Sequence, residues 1–147
     1  MIRVKLEMPS VYSFRTELAV RITDINYGGH LGNANVLALI HEARVRFLKS
    51  YGYSEINVEG YGTIMLDSVV IYKAQAFAGD VLQIEVAAGD FSRLGCDIFY
   101  RITNKESGAE VALAKTGIAV FDYASQKRIS PPEAFVKTLC DNPLACV

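Results

Sequence analysis

The stretch Thr23-Asp24-Ile25-Asn26-Tyr27-Gly28-Gly29-His30-Leu31-Gly32-Asn33 gathers a carboxylate, an amide and an imidazole around a glycine pair. An imidazole can take and return a proton at neutral pH, which makes His30 a candidate general base. A hydrogen-bonded histidine that fixes the turn is the other role open to it. Asp24 could orient Asn26 or His30, or bond its own backbone as turn carboxylates do. Asn26 suits a polar group that orients water or a carbonyl. The Gly28-Gly29 pair lets a ligand carbonyl approach the backbone with no Cβ in the way. Directly afterwards a helix begins near Asn33, and the first turn of a helix offers unpaired N–H groups at the positive end of its dipole. The N–H of Asn33 or a neighbour is thus a candidate donor to an oxygen that gains charge, and Gly29 shapes the approach. Alternatively, the glycines only form a turn and Asn33 caps the helix.

Three further side chains compete for a chemical role. Glu42 falls opposite the apolar arc of the helix, where it either pairs with Arg46 at i+4 or enters a site completed by a partner. His41 flanks the same arc as a core-edge histidine or a base. Asp67 interrupts Ile64-Met65-Leu66 and Ser68-Val69-Val70, and a carboxylate in a buried strand needs a partner. It either pairs with a cation or solvent, or lies against the helix start as a second carboxylate.

Positioning these groups falls to one long helix and a run of strands. From Asn33 to about Ser50, Val36, Leu37, Ile40, Ala43, Phe47 and Leu48 recur at helical spacing, with Asn35, Glu42, Val45 and Arg46 on the other side. Leu18–Thr23 alternates as a strand before the glycine turn. Ile64–Phe77, Val81–Phe91, Gly95–Thr103 and Glu110–Tyr123 read as strands divided by Gly79-Asp80 and by the 104–108 loop. Glu133–Leu139 reads as a short closing helix. One helix against an antiparallel sheet is an α+β solution, and pairing with a second copy would remove an exposed sheet edge.

Composition narrows the classes. The chain has 147 residues, 51% hydrophobic and 21% charged, with a net charge of −1. This suits one domain over 1–147 with a core that needs no metal or disulfide, and argues against disorder. Near-neutral charge disfavours nucleic acid as a partner. No apolar run reaches a membrane span, and the alternating N-terminus is not a secretory signal. Cys96, Cys140 and Cys146 lack metal-ligand spacing and are expected as reduced thiols in a cytoplasmic protein. No phosphate-binding glycine loop or metal-spaced His/Cys cluster occurs, so no cofactor is expected.

The 23–33 stretch, followed by His41-Glu42-Ala43-Arg44, resembles the hotdog-fold acyl-CoA thioesterases, in particular the 4-hydroxybenzoyl-CoA thioesterase-like branch. Their pattern is Asp-x-Asp, a short gap, Gly-His-Val-Asn-Asn, then Glu-Glu-Ala-Arg on a helix. Gly29-His30, Asn33 and Glu42-Ala43-Arg44 match it. Tyr72–Asp80 resembles a strand and Gly-Asp turn of the family. Val120-Phe121-Asp122 with Pro131 resembles its last strand and exit. Asn26 stands where the family often has its catalytic Asp, His41 where it has the first Glu, and Gly32 where it has the first Asn. Asp24, Asn26 and His30 are closer to the Asp/Asn/His set of plant acyl-carrier-protein thioesterases.

The resemblance implies an antiparallel sheet wrapped around one central helix, and a homo-oligomer, either a dimer or a dimer of dimers. It implies hydrolysis of an acyl-CoA thioester to free acid and CoA, with CoA entering only as part of the substrate. Water would attack while the carbonyl sits at the helix N-terminus, with His30 or Glu42 as base and Asn26 orienting. Val36, Leu37, Ile40 and Phe77 offer an apolar slot for the acyl chain. Lys73, Arg93 and Arg101 are candidate cations for the CoA phosphates. Two other readings stay open. One is a hydratase or dehydratase of the same fold, whose Asp-x-Asn-Pro-x-His motif Asp24–His30 also resembles. The other is a non-catalytic acyl-CoA-binding module.

Overall fold

In the computed structural model, which describes residues 1–140, the elements follow the chain as β1 (Phe14–Ala19), a short 3-10 turn (Ile22–Asp24), α1 (Asn33–Ser50), β2 (Gly62–Tyr72), β3 (Val81–Gly89), β4 (Cys96–Asn104), β5 (Glu110–Asp122), β6 (Lys127–Ile129) and α2 (Glu133–Cys140). The strands form one antiparallel sheet in the order β1-β3-β4-β5-β2, with β6 added to β5. This is the α+β arrangement expected, with a sheet curved around one long helix.

Alternation explains the two sheet faces. Ile84, Val86, Ile98, Tyr100, Ile102, Ala112, Ala114 and Ile118 are buried with α1. Glu85, Asp97, Arg101 and Lys115 alternate with them and lie on the face away from the helix. There Glu85 pairs with Arg101 at 2.6 Å and Lys115 with Asp97 at 2.9 Å. The face that α1 buries carries Val36, Leu39, Ile40, Ala43, Arg44, Phe47 and Leu48. Leu37, expected on that arc, is 42% exposed, because the stripe turns through Leu39 instead.

The first strand lies earlier than expected. Phe14–Ala19 pairs with β3, whereas Ile22–Asp24 coils into the 3-10 turn, closed by the bond from Asp24 N–H to the Arg21 carbonyl at 2.9 Å. Ile22, counted as a strand residue by its alternation, is 77% exposed.

Arg44 is buried in the helix–sheet interface, and its partners make that possible. Its Nε donates to Glu55 Oε1 at 2.6 Å, and Nη1 donates to the Tyr100 hydroxyl at 3.3 Å, which bonds Thr116 at 2.8 Å. His41 Nε2 meets the other Glu55 oxygen at 2.8 Å. Burial works against the Glu55 anion, yet its bonds to Arg44 and His41 hold its carboxyl below the usual range. The network fixes α1 against the sheet at one depth and rotation.

Among the thiols, burial pushes Cys96 up to about 12, so it is an inert core side chain. Cys140 is disulfide-bonded, which corrects the expectation of reduced thiols at that position; Cys146 lies outside the described residues. Among the described residues no helix is long and apolar enough to cross a membrane.

Glu55→Ala strands the buried Arg44 guanidinium and is expected to cost about 3 kcal/mol in urea unfolding, while the double variant Arg44→Met/Glu55→Ala costs less than the single one. A double variant less stable than Glu55→Ala would show that the network does not bear on Arg44 in this way.

Candidate active site

Asn26 organises the turn that precedes α1. Its Oδ1 accepts the Gly28 N–H at 2.9 Å, its carbonyl accepts the Gly29 N–H at 3.0 Å, and its own N–H donates to the His30 carbonyl at 2.9 Å. Gly29 takes φ +86, the left-handed region that a Cβ disfavours. The Asn26 Oδ1 and the His30 Nε2 close over Gly28, where a Cβ would come within 3.1 Å of the first and 3.5 Å of the second. Asn26 and His30 are therefore brought together, as the motif suggested.

The following residues open the helix. Gly32 occupies the N-cap position and has no side chain to cap it. The N–H of Asn35 turns back to the Gly32 carbonyl at 3.0 Å, while those of Asn33 and Ala34 bond no backbone acceptor among the described residues. The Asn35 amide oxygen folds over Gly32 so closely that a Cβ there would meet it at 2.5 Å. Sequence reasoning placed Asn35 on the polar face and gave it no part in the site.

A cavity of about 450 Å³ lies at this point, lined by Asn26, His30, Leu31, Asn33, Tyr72, Lys73, Ala74 and Gln75. Its far wall is the end of β2 and the segment after it, tied to the turn by the Leu31 N–H to the Ala76 carbonyl at 2.7 Å. The Tyr72 hydroxyl donates to the Asn33 carbonyl at 3.0 Å. Tyr72 and Gln75 were missed, since nothing local marks a strand end that meets a helix start 39 positions earlier.

Other expected residues stand apart. Asp24 is buried beneath the turn. Its carboxylate accepts the Arg21 backbone N–H at 2.8 Å, Nε at 3.2 Å and Nη2 at 3.0 Å, and its carbonyl accepts the Gly32 N–H at 2.9 Å. It supports the turn and does not line the cavity. Glu42 lies about 13 Å along α1 from Asn33. It pairs with Arg46 at 2.9 Å in a separate cleft with Leu18 and Arg21. Asp67 is a correction too. It sits at a bulge in β2, on the sheet face away from α1, and binds Lys115 at 3.0 Å and the Gly117 N–H at 3.1 Å. The bulge between Met65 and Asp67 shifts the alternation and turns that carboxylate away from the helix. Of the candidate phosphate cations only Lys73 lines the cavity; Arg93 lies by β6, and Arg101 pairs with Glu85 and stacks on Tyr12. Val36 and Ile40 are core, while Phe77 is 49% exposed.

A family model described as the thioesterase-like superfamily matches residues 20–139, which include the whole turn, α1 and the cavity. The chain belongs to the thioesterase-like superfamily. Its reaction class is thioester hydrolysis. Solved structures agree on the fold of this thioesterase-like chain. A 1,4-dihydroxy-2-naphthoyl-CoA thioesterase from Synechocystis has a TM-score of 0.80 at 22% identity, over 88% of this chain and 97% of that one. A Staphylococcus aureus protein in complex with CoA has a TM-score of 0.80 at 16% identity, over 98% and 90% of the two chains. A DHNA-CoA thioesterase from Staphylococcus aureus has a TM-score of 0.71 at 22% identity, over 79% and 78%. No curated protein matches the sequence.

The Arg21 side chain bonded to Asp24 holds its carboxyl below the usual range, against the opposing effect of burial. A lowered folded-state value means that the ionised carboxylate stabilises the fold at neutral pH, and that this contribution fades as pH falls through the usual range towards the folded value. The stability difference between the wild type and Asp24→Asn is therefore expected to be full at pH 7 and to shrink on acidification below about pH 4. Chemical denaturation across that range checks this, and a constant gap would contradict it.

Proposed function

We propose that the protein hydrolyses an acyl-CoA thioester, with the carbonyl oxygen bound at the N-terminus of α1. The observation that carries this reading is the uncapped helix start, where the Asn33 and Ala34 N–H groups bond no backbone acceptor among the described residues and Asn33 lines a cavity that His30 and Asn26 border. Amide donors placed where negative charge develops lower the barrier, because they need no reorganisation during the reaction. The names of the similar structures, two CoA thioesterases and a CoA complex, support CoA as the thiol half of the substrate. Lys73 at the cavity edge suits a phosphate or the polar pantetheine arm.

His30 is the base in this reading. Water attacks the carbonyl carbon as His30 takes its proton, and the C=O electron pair moves onto the oxygen held by the helix. Collapse of the tetrahedral intermediate breaks the C–S bond, and the departing thiolate receives the proton back from His30. Asn26 orients the water through its amide NH₂, since its Oδ1 is engaged by Gly28. Glu42 does not fit the same role within one chain, because Arg46 neutralises it in another cleft.

We also propose that the protein is a homo-oligomer that pairs at β2. This edge strand has one neighbour, β5, and leaves Met65 and Leu66 each 43% exposed. An apolar edge of that kind is stable when covered by a second copy.

His30→Ala and Asn26→Ala are each expected to lower kcat/KM at least about tenfold in a thiol-release assay on a panel of acyl-CoAs, whereas Glu42→Gln stays within about twofold. Full activity in both of the first two would remove this site; hydration of an enoyl-CoA without thiol release would favour the hydratase reading. Leu66→Arg is expected to move the protein to monomer mass in sedimentation velocity, and unchanged mass would exclude pairing at this edge.

A further inference from the structure

We infer that Tyr72 is a positioning residue that strengthens the oxyanion donor, an inference that rests on the proposed thioester chemistry. Its hydroxyl donates to the Asn33 carbonyl at 3.0 Å, reaching from the end of β2 to the first residue of α1. That carbonyl belongs to the same peptide unit as the Ala34 N–H, one of the two first-turn N–H groups of α1 that bond no backbone acceptor among the described residues. A hydrogen bond received at the oxygen of a peptide draws electron density from its nitrogen. The N–H becomes more positive and donates more strongly, the cooperative effect seen along hydrogen-bonded chains. Tyr72 thus does from the side, through the peptide plane, what it could not do by contact with the reacting oxygen.

The geometry favours a tuned donor over a simple clasp. Tyr72 is 51% exposed and lines the cavity, so its ring contributes little core burial. Its neighbour Lys73 is already tied to β5 by the bond from its N–H to the Val111 carbonyl at 2.9 Å, so the strand end is anchored without the hydroxyl.

The test compares the wild type with Tyr72→Phe, which keeps the ring and removes the donor, and with 3,5-difluorotyrosine placed at position 72, whose hydroxyl donates more strongly while it stays protonated. Tyr72→Phe is expected to lower kcat about three- to tenfold with KM changed less than about twofold, and difluorotyrosine to raise kcat, with melting temperatures unchanged. An independent readout is the infrared stretch of a ¹³C=O-labelled acyl-CoA bound at low temperature. It should shift to lower frequency in the wild type, less in Tyr72→Phe, and more in the difluoro protein. Equal frequencies in all three proteins, or a Tyr72→Phe effect on KM alone, would overturn the inference while leaving thioesterase activity intact. Absence of turnover by the wild type on every thioester would instead overturn the proposed reaction, and the infrared series would still decide whether Tyr72 polarises the donor.

Discussion

A helix that lends its first N–H groups to a substrate must do without the cap that would normally satisfy them, and something else must hold it in place. In this protein the cap position is Gly32, which has no side chain to offer. The missing cap is offset along the rest of α1. Seven buried residues fix its rotation, and one of them, Arg44, locks its depth through Glu55 and Tyr100. The exposed N–H pair is affordable only because the helix is anchored one to three turns further on.

The turn before the helix works by the same division of labour. Asp24 is spent on structure: it binds Arg21 three ways and receives Gly32 on its carbonyl, so the chain enters α1 in one direction. Asn26 then closes an Asx turn on Gly28. This leaves its NH₂ and the His30 ring as the polar groups over the glycines. The structural carboxylate lies below and the polar pair above.

Elements with strong internal periodicity were legible in the sequence. The span Asn33–Ser50 was read as it stands, because its apolar residues repeat at helical spacing, and β3, β4 and β5 were read to within two residues. The candidate site was legible where it is local: Asn26, His30 and Asn33 lie within eight positions and line one cavity. What failed depends on long-range contacts. The buried Arg44 defies the rule that charges face solvent, and only Glu55 and Tyr100 make its burial possible. Asp67 read as a carboxylate in a buried strand, but a bulge invisible to alternation turned it outward to Lys115. Glu42 kept the i+4 pairing that its spacing allowed, so the local alternative prevailed. The three-residue β6 is too short to leave a periodic signal.

The charge inventory of the cavity constrains the chemistry. Among the described residues that line it, none is a carboxylate; the ionisable side chains are His30, Tyr72 and Lys73. A route through an acyl-enzyme anhydride needs a carboxylate nucleophile within reach of the carbonyl carbon, and Asn26 cannot supply one. Direct attack by water needs only a proton acceptor beside the water and donors beside the oxygen, and His30 and the start of α1 have those properties. Attack without a carboxylate also avoids a like-charge penalty. A second anion next to the developing oxyanion would be repelled by it, whereas a neutral imidazole that becomes cationic as the oxygen becomes anionic gains from the approach. In the proposed reaction the amide at position 26 and the imidazole at position 30 are therefore complementary: charge would form as a pair, held by the helix on one side and the imidazolium on the other.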